Sequence, residues 1–136
     1  MEQFFNEITE KYEFKIPAEQ FSPLILAYIG DAVFELLTRS IVCSDGNAPV
    51  NKLNARSRQI VNASSQSEMF EKVKDCLSSQ EFAVMKRGRN AKIFTSAKNA
   101  AINDYRRATG LEALFGYLFI KGSYGRIMEI FNICIG

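Results

Sequence analysis

Two stretches of this chain set acidic side chains among apolar neighbours, which is an expensive arrangement unless the acids have work to do. Leu24 to Leu37 reads Leu-Ile-Leu-Ala-Tyr-Ile-Gly-Asp-Ala-Val-Phe-Glu-Leu-Leu, with Asp31 and Glu35 one helical turn apart. Leu111 to Ile120 reads Leu-Glu-Ala-Leu-Phe-Gly-Tyr-Leu-Phe-Ile, with Glu112 as its single acid. A carboxylate among core side chains needs a cation, a hydrogen-bond network or a metal. One reading has Asp31 and Glu112 converge as hard oxygen ligands for Mg²⁺, which takes few protein carboxylates and keeps most of its waters. A second places them in internal salt bridges with Arg39, Lys92 or Arg106, the commoner origin of such acids. A third makes Asp31 a helix N-cap after a break at Gly30, although a capping box would then want an acid or amide where Phe34 stands.

The segment Lys86-Arg87-Gly88-Arg89-Asn90-Ala91-Lys92 supplies complementary chemistry. Arginine forks hold phosphates bidentately, and asparagine adds a sequence-neutral hydrogen bond. Its plain alternative is a solvated helix end capped at Gly88. A polyanion held by bases next to a carboxylate metal centre is the arrangement that phosphodiester hydrolysis requires. Net charge is only +2, yet residues 1–35 carry seven acids against two bases, and residues 86–107 carry seven bases against one acid. That asymmetry points to a polyanion-facing surface on one side. The chain has no histidine, which excludes Ser/His/Asp and Cys/His triads and imidazole-based zinc sites.

These side chains must be positioned by helices. Only eight Gly and three Pro punctuate 136 residues, and helix-period apolar spacing recurs while strand-like alternation is nowhere sustained, so the expected class is all-α, in one domain spanning 1–136. Ser22-Pro23 predicts an N-cap and first-turn proline opening a helix to about Cys43. The next helix starts at Pro49 or Asn51. Others are expected over about 65–77, 79–88, 98–108, 110–121 and 123–134, with a loop over 89–97. The two acid-bearing helices are apolar nearly all round and are therefore expected to be central and buried, with Gly30 and Gly116 letting their backbones approach closely. Cys43, Cys76 and Cys134 are read as reduced core residues. An acidic N-terminus without a signal-like apolar run, and charges at Asp31, Glu35 and Arg39 within the longest apolar stretch, predict a cytoplasmic protein that does not enter the membrane.

Leu26-Ala27-Tyr28-Ile29-Gly30-Asp31-Ala32-Val33 resembles the signature helix of the ribonuclease III catalytic domain, and Glu112-Ala113-Leu114-Phe115-Gly116 resembles that family's second signature. The short bacterial mini-ribonuclease III branch is the most similar, through Arg87-Gly88-Arg89-Asn90-Ala91-Lys92, Lys98-Asn99, Tyr105-Arg106 and Ala108-Thr109. Larger members of the family carry two further acids, at positions that are Leu24 and Thr109 here, a loss the branch shares. In place of the branch's small polar residue and glycine, Ile93-Phe94 follows the Asn-Ala-Lys.

The resemblance implies the family's helical fold and an Mg²⁺-dependent endoribonuclease, Mn²⁺ able to substitute, that cuts double-stranded RNA and leaves 5′-phosphates. Asp31 and Glu112 would be the catalytic and metal-binding residues, with Glu35 supporting them. Lys86, Arg87, Arg89, Asn90, Lys92, Arg106 and Arg107 would contact RNA. The implied substrate is large-subunit (23S) ribosomal RNA precursor. The implied assembly is a homodimer with a shared groove, assisted by a ribosomal protein and without a separate double-stranded-RNA-binding domain. The rival readings are a catalytically inactive RNA-binding module and a helical protein-interaction domain.

Overall fold

The chain is described here by a computed structural model over residues 2–92 and 100–136, and no strand occurs among the described residues. The helices are α1 (Glu2–Lys11), α2 (Pro23–Cys43), α3 (Val50–Ile60), α4 (Ala63–Val73), α5 (Ser79–Asn90), α6 (Ala100–Ile120) and α7 (Tyr124–Ile135). Short 3-10 turns cover Ala18–Gln20 and Lys74–Cys76. The all-α expectation therefore holds.

Helix α6 is the axis of the fold and packs most extensively on α2, then on α5 and α4. Its Leu111, Ala113, Leu114 and Phe115 are wholly buried. Phe115 meets Phe34 of α2 edge-to-face at 5.3 Å between ring centres, and Phe34 meets Phe131 of α7 at 5.5 Å. Such aromatic contacts add to the burial that holds three helices together. The 3-10 turn at Ala18–Gln20 is fixed to this axis by Tyr117, whose hydroxyl donates to Glu19 Oε1 at 3.1 Å.

The ends of the elements follow their sequence signals. Ser22 caps α2, accepting from the Ile25 amide, with Pro23 in the first turn. Asn62 caps α4 by accepting from the Ser65 amide at 2.9 Å. A full capping box opens α5: the Glu81 amide donates to Ser78 Oγ at 3.1 Å and the Ser78 amide donates to Glu81 Oε1 at 2.8 Å. At the end of α6, Gly122 adopts φ +77, and the Ser123 amide reaches back to the Leu118 carbonyl at 2.9 Å. This is the left-handed helix stop that glycine makes without steric cost.

Four expectations are corrected. Helix α6 runs unbroken through Gly110, where two helices over 98–108 and 110–121 were expected; Gly110 is a contact residue, because a Cβ there would lie 2.6 Å from the Met85 carbonyl oxygen. Helix α5 extends to Asn90 with Ala91 at its C-cap, so Gly88 is a buried helix-interior residue and not the cap; of the expected 89–97 loop, residues 93–97 lie outside the described residues. Helix α2 is buried on one side only: Leu24, Ile25, Tyr28 and Leu36 are exposed, Tyr28 to 81%. Of the cysteines, Cys134 is buried, whereas Cys43 and Cys76 are exposed. Helix α1 had no counterpart in the sequence reading; it buries no residue outright, and Phe5 packs edge-to-face on Phe119 at 5.8 Å.

Candidate active site

Helices α2 and α6 cross with backbone against backbone. A Cβ on Gly30 would lie 1.7 Å from the Glu112 carbonyl oxygen, and one on Gly116 would lie 1.9 Å from the Leu26 carbonyl oxygen. Only hydrogen fits at either position. The crossing thereby brings Asp31, next to Gly30, and Glu112 to one place. A second close contact joins α5 to α6, where a Cβ on Gly88 would meet Ala113 Cβ at 2.8 Å and the Gly110 Cα at 2.9 Å. Glu112 lies on α6 between these two contacts, with the acids of α2 on one side and the basic end of α5 on the other.

The carboxyl of Glu112 is pushed up to about 8. Burial is the largest cause, followed by the hydrogen bond and negative charge of Asp31 and then the charge of Glu35. Like charges crowding a partly desolvated carboxyl disfavour its ionisation. Among the described residues no base pairs with Asp31 or Glu112. Arg39, one expected partner, instead donates from Nε to Glu35 Oε2 at 3.1 Å. The capping alternative for Asp31 also falls, since α2 is continuous through it. Asp31 itself is exposed and Glu112 is half-buried, so neither acid is wholly buried as expected.

Two neighbouring carboxyls without a counter-ion form a donor set that a hard divalent cation fits, and one or two carboxylates are a usual protein contribution for Mg²⁺. The set is sparse: no group of three or more acids or cysteines converges as a metal cluster among the described residues. Thr109, at one position where larger family members carry an acid, directs its hydroxyl to the Tyr105 carbonyl at 2.9 Å.

The basic residues separate into two groups. Arg89, Asn90, Arg106 and Arg107 line one hollow of about 260 Å³ between the end of α5 and α6, together with Asn103. Arg89 Nε donates to Asn90 Oδ1 at 3.2 Å, and its guanidinium lies over the Phe70 ring at 5.8 Å. Arg107 is oriented by Glu71 at 3.5 Å and Ser67 Oγ at 3.4 Å. Lys86, Arg87 and Lys92 are exposed and do not line this hollow; Arg87 turns toward the Phe21 carbonyl, 3.3 Å away. The sequence reading missed Asn103. Its i, i+3, i+4 spacing to Arg106 and Arg107 was the available signal, passed over because it carries no charge.

Residues 24–123 match the ribonuclease III domain, and the chain belongs to the ribonuclease III family. Enzymes of this family are endoribonucleases acting on double-stranded RNA, typically as dimers and generally with a divalent metal. The chain is 43% identical over 133 residues to mini-ribonuclease 3 of Clostridium tetani, across 97% of this chain and 85% of that one. It is 40% identical over 114 residues to mini-ribonuclease 3 of a Thermoanaerobacter species, across 84% and 80%. A crystal structure of a protein from Fusobacterium nucleatum has a TM-score of 0.76 at 32% identity, covering 85% of this chain and 93% of its own. Within the family these relatives place the chain in the mini-ribonuclease 3 branch.

Proposed function

We propose that this chain cleaves double-stranded RNA with Asp31 and Glu112 as its catalytic pair. The observation that carries the assignment is the convergence of the two acids at the Gly30–Gly116 crossing with no base beside them. They would hold Mg²⁺, or Mn²⁺ in its place, and Glu35 would add negative charge from one turn along α2. A divalent cation there supplies Lewis-acid charge and lowers the pKa of water, chemistry that leaves a 5′-phosphate and needs no histidine.

The chain's own residues perform the positioning. The α2–α6 contact fixes the carboxyls relative to each other through the backbone. Arg89, Asn90, Arg106 and Arg107 hold RNA phosphates, with Lys86, Arg87 and Lys92 of the same basic segment adding charge outside that hollow. Duplex RNA is recognised chiefly by shape, phosphates and 2′-hydroxyls, which such a surface can supply from within a single domain. The exposed Leu24, Ile25, Tyr28 and Leu36 beside Asp31 support a homodimer, since apolar clusters of this kind mark association surfaces. The proposed substrate is large-subunit ribosomal RNA precursor in the cytoplasm, with a ribosomal protein as helper. No described helix is long and apolar enough to cross a membrane.

Incubating a structured RNA duplex with wild type, Asp31→Asn and Glu112→Gln, with and without Mg²⁺, tests the assignment. Loss of either carboxylate is expected to slow metal-dependent cleavage by about a thousandfold. Cleavage that survives Asp31→Asn rejects the site. The sparse donor pair favours one other reading, a binding-only RNA module, and duplex binding by folded wild type without cleavage would select it.

A further inference from the structure

Helix α4 sets an acid against the basic hollow of α5 and α6. Glu71 Oε1 lies 3.5 Å from Arg107 Nε, and the same carboxyl meets the Lys74 ammonium one turn on. The hydrogen bond from Lys74, followed by the charges of Lys74, Arg107 and Arg89, holds this carboxyl below the usual range against an opposing effect of burial. Glu71 is therefore an anion at neutral pH, among cations that line a space assigned above to RNA phosphates. On charge alone it is a liability, because it repels the polyanion those cations attract. Stability does not explain it either. Arg107 and Glu71 keep 38% and 46% of their side-chain surface exposed, and ion pairs this exposed contribute little to a fold.

The geometry gives the acid a different use. Arg107 Nη1 donates to Ser67 Oγ at 3.4 Å, and Ser67 and Glu71 stand one turn apart on α4, on the same face. Two anchors on one helix thus fix the guanidinium, while its Nη2 amine has no partner among the described residues. Ser67 is itself buried, as is Phe70, so the anchors rest on a packed part of α4. Arg106, in the same hollow, has no such support among the described residues. Arginine loses much rotamer freedom when it grips a phosphate, and a side chain already held in place pays less on binding.

We propose that Glu71 is a positioning residue for RNA binding: with Ser67 it holds the Arg107 guanidinium ready for a phosphate in the hollow. This rests on the duplex-RNA reading above. The test follows kcat and KM for a structured duplex in Mg²⁺. Arg107→Ala is expected to raise KM about tenfold through loss of a charge-assisted phosphate contact. Glu71→Gln is expected to raise KM about threefold with kcat unchanged, whereas removal of a repelling charge would by itself lower KM. Glu71→Asp keeps the charge but draws it back from Arg107; it raises KM likewise and carries the test should Glu71→Gln fail to fold. In an Arg107→Ala background neither Glu71 substitution has a further effect, and in an Arg106→Ala background the rise persists. A KM that is lower or unchanged in the Glu71 variants, no effect of Arg107→Ala, or a rise that persists without Arg107 overturns the positioning role while cleavage by wild type stands. If wild type binds duplex without cutting it, the catalytic reading falls, and the same variants are compared by Kd with the same changes expected. Wild type that neither cuts nor binds any duplex overturns both readings.

Discussion

Glu81 and Glu112 are the same residue type, one buried and one half-buried within a helix, and the protein treats them in opposite ways. Glu81 closes the capping box of α5 and accepts two hydrogen bonds from Arg126 of α7, both at 2.9 Å. Those bonds hold its carboxyl below the usual range despite burial. Glu112 has a second acid where Glu81 has a guanidinium, and its carboxyl moves up to about 8. A buried acid that serves the fold is given its counter-charge by the chain. One left facing another acid raises the energy of the folded state and is free to bind a cation from outside.

The comparison is broken most severely by closing the space that creates the acid pair. Gly30→Ala places a Cβ against the Glu112 carbonyl and forces α2 from α6; we expect a loss of about 4 kcal/mol in denaturant unfolding and no cleavage. Next in size is Arg126→Ala, which strands the Glu81 carboxylate and is expected to cost about 2–3 kcal/mol at pH 7. Because the folded-state pKa of Glu81 is lowered, the stability it contributes is present above the ordinary carboxylate range and lost as pH falls through the folded value. Unfolding of the variant and wild type should therefore converge in acid.

Glu112→Gln should do the reverse. Its wild-type carboxyl ionises near 4.5 when unfolded and about 8 when folded, so the native state holds a proton that the unfolded chain has lost, and stability declines as pH rises through that window. In chelator, the amide variant should match wild type near pH 4 and exceed it by about 2 kcal/mol at pH 6, as read from melting curves. The smallest effect is expected at Gly125, near the start of α7, where nothing lies within 4 Å of an added Cβ. Gly125→Ala should stabilise by about 0.5 kcal/mol, which would show that the penalty at Gly30 comes from contact and not from helix propensity.

The acid pair was legible because its signals are local. Each acid has a glycine nearby in an apolar run, and that spacing survives as the α2–α6 crossing. The start of α2 was equally legible, since Ser22 and Pro23 act within one turn. Contacts between distant positions were not. Gly110 and Gly88 read as a break and a cap, which is what lone glycines usually signal, and only the α5–α6 packing reveals them as contact residues. Arg39 chose Glu35, its neighbour one turn away, over the acids proposed for it, and nothing in the sequence linked Arg126 to Glu81 across 45 positions. The uncharged Asn103 carries little composition signal, so only its place in a hollow exposes it.

The lack of buried residues in α3 has a consequence for how this enzyme can diversify. Gly30, Gly88, Gly110 and Gly116 admit no larger residue, so the geometry of the acid pair is closed to gradual change. Helix α3 packs on α2 and buries no residue outright, so substitutions along its polar face carry almost no penalty in stability. Variation there can proceed while the glycine crossing that sets the two acids side by side stays as it is.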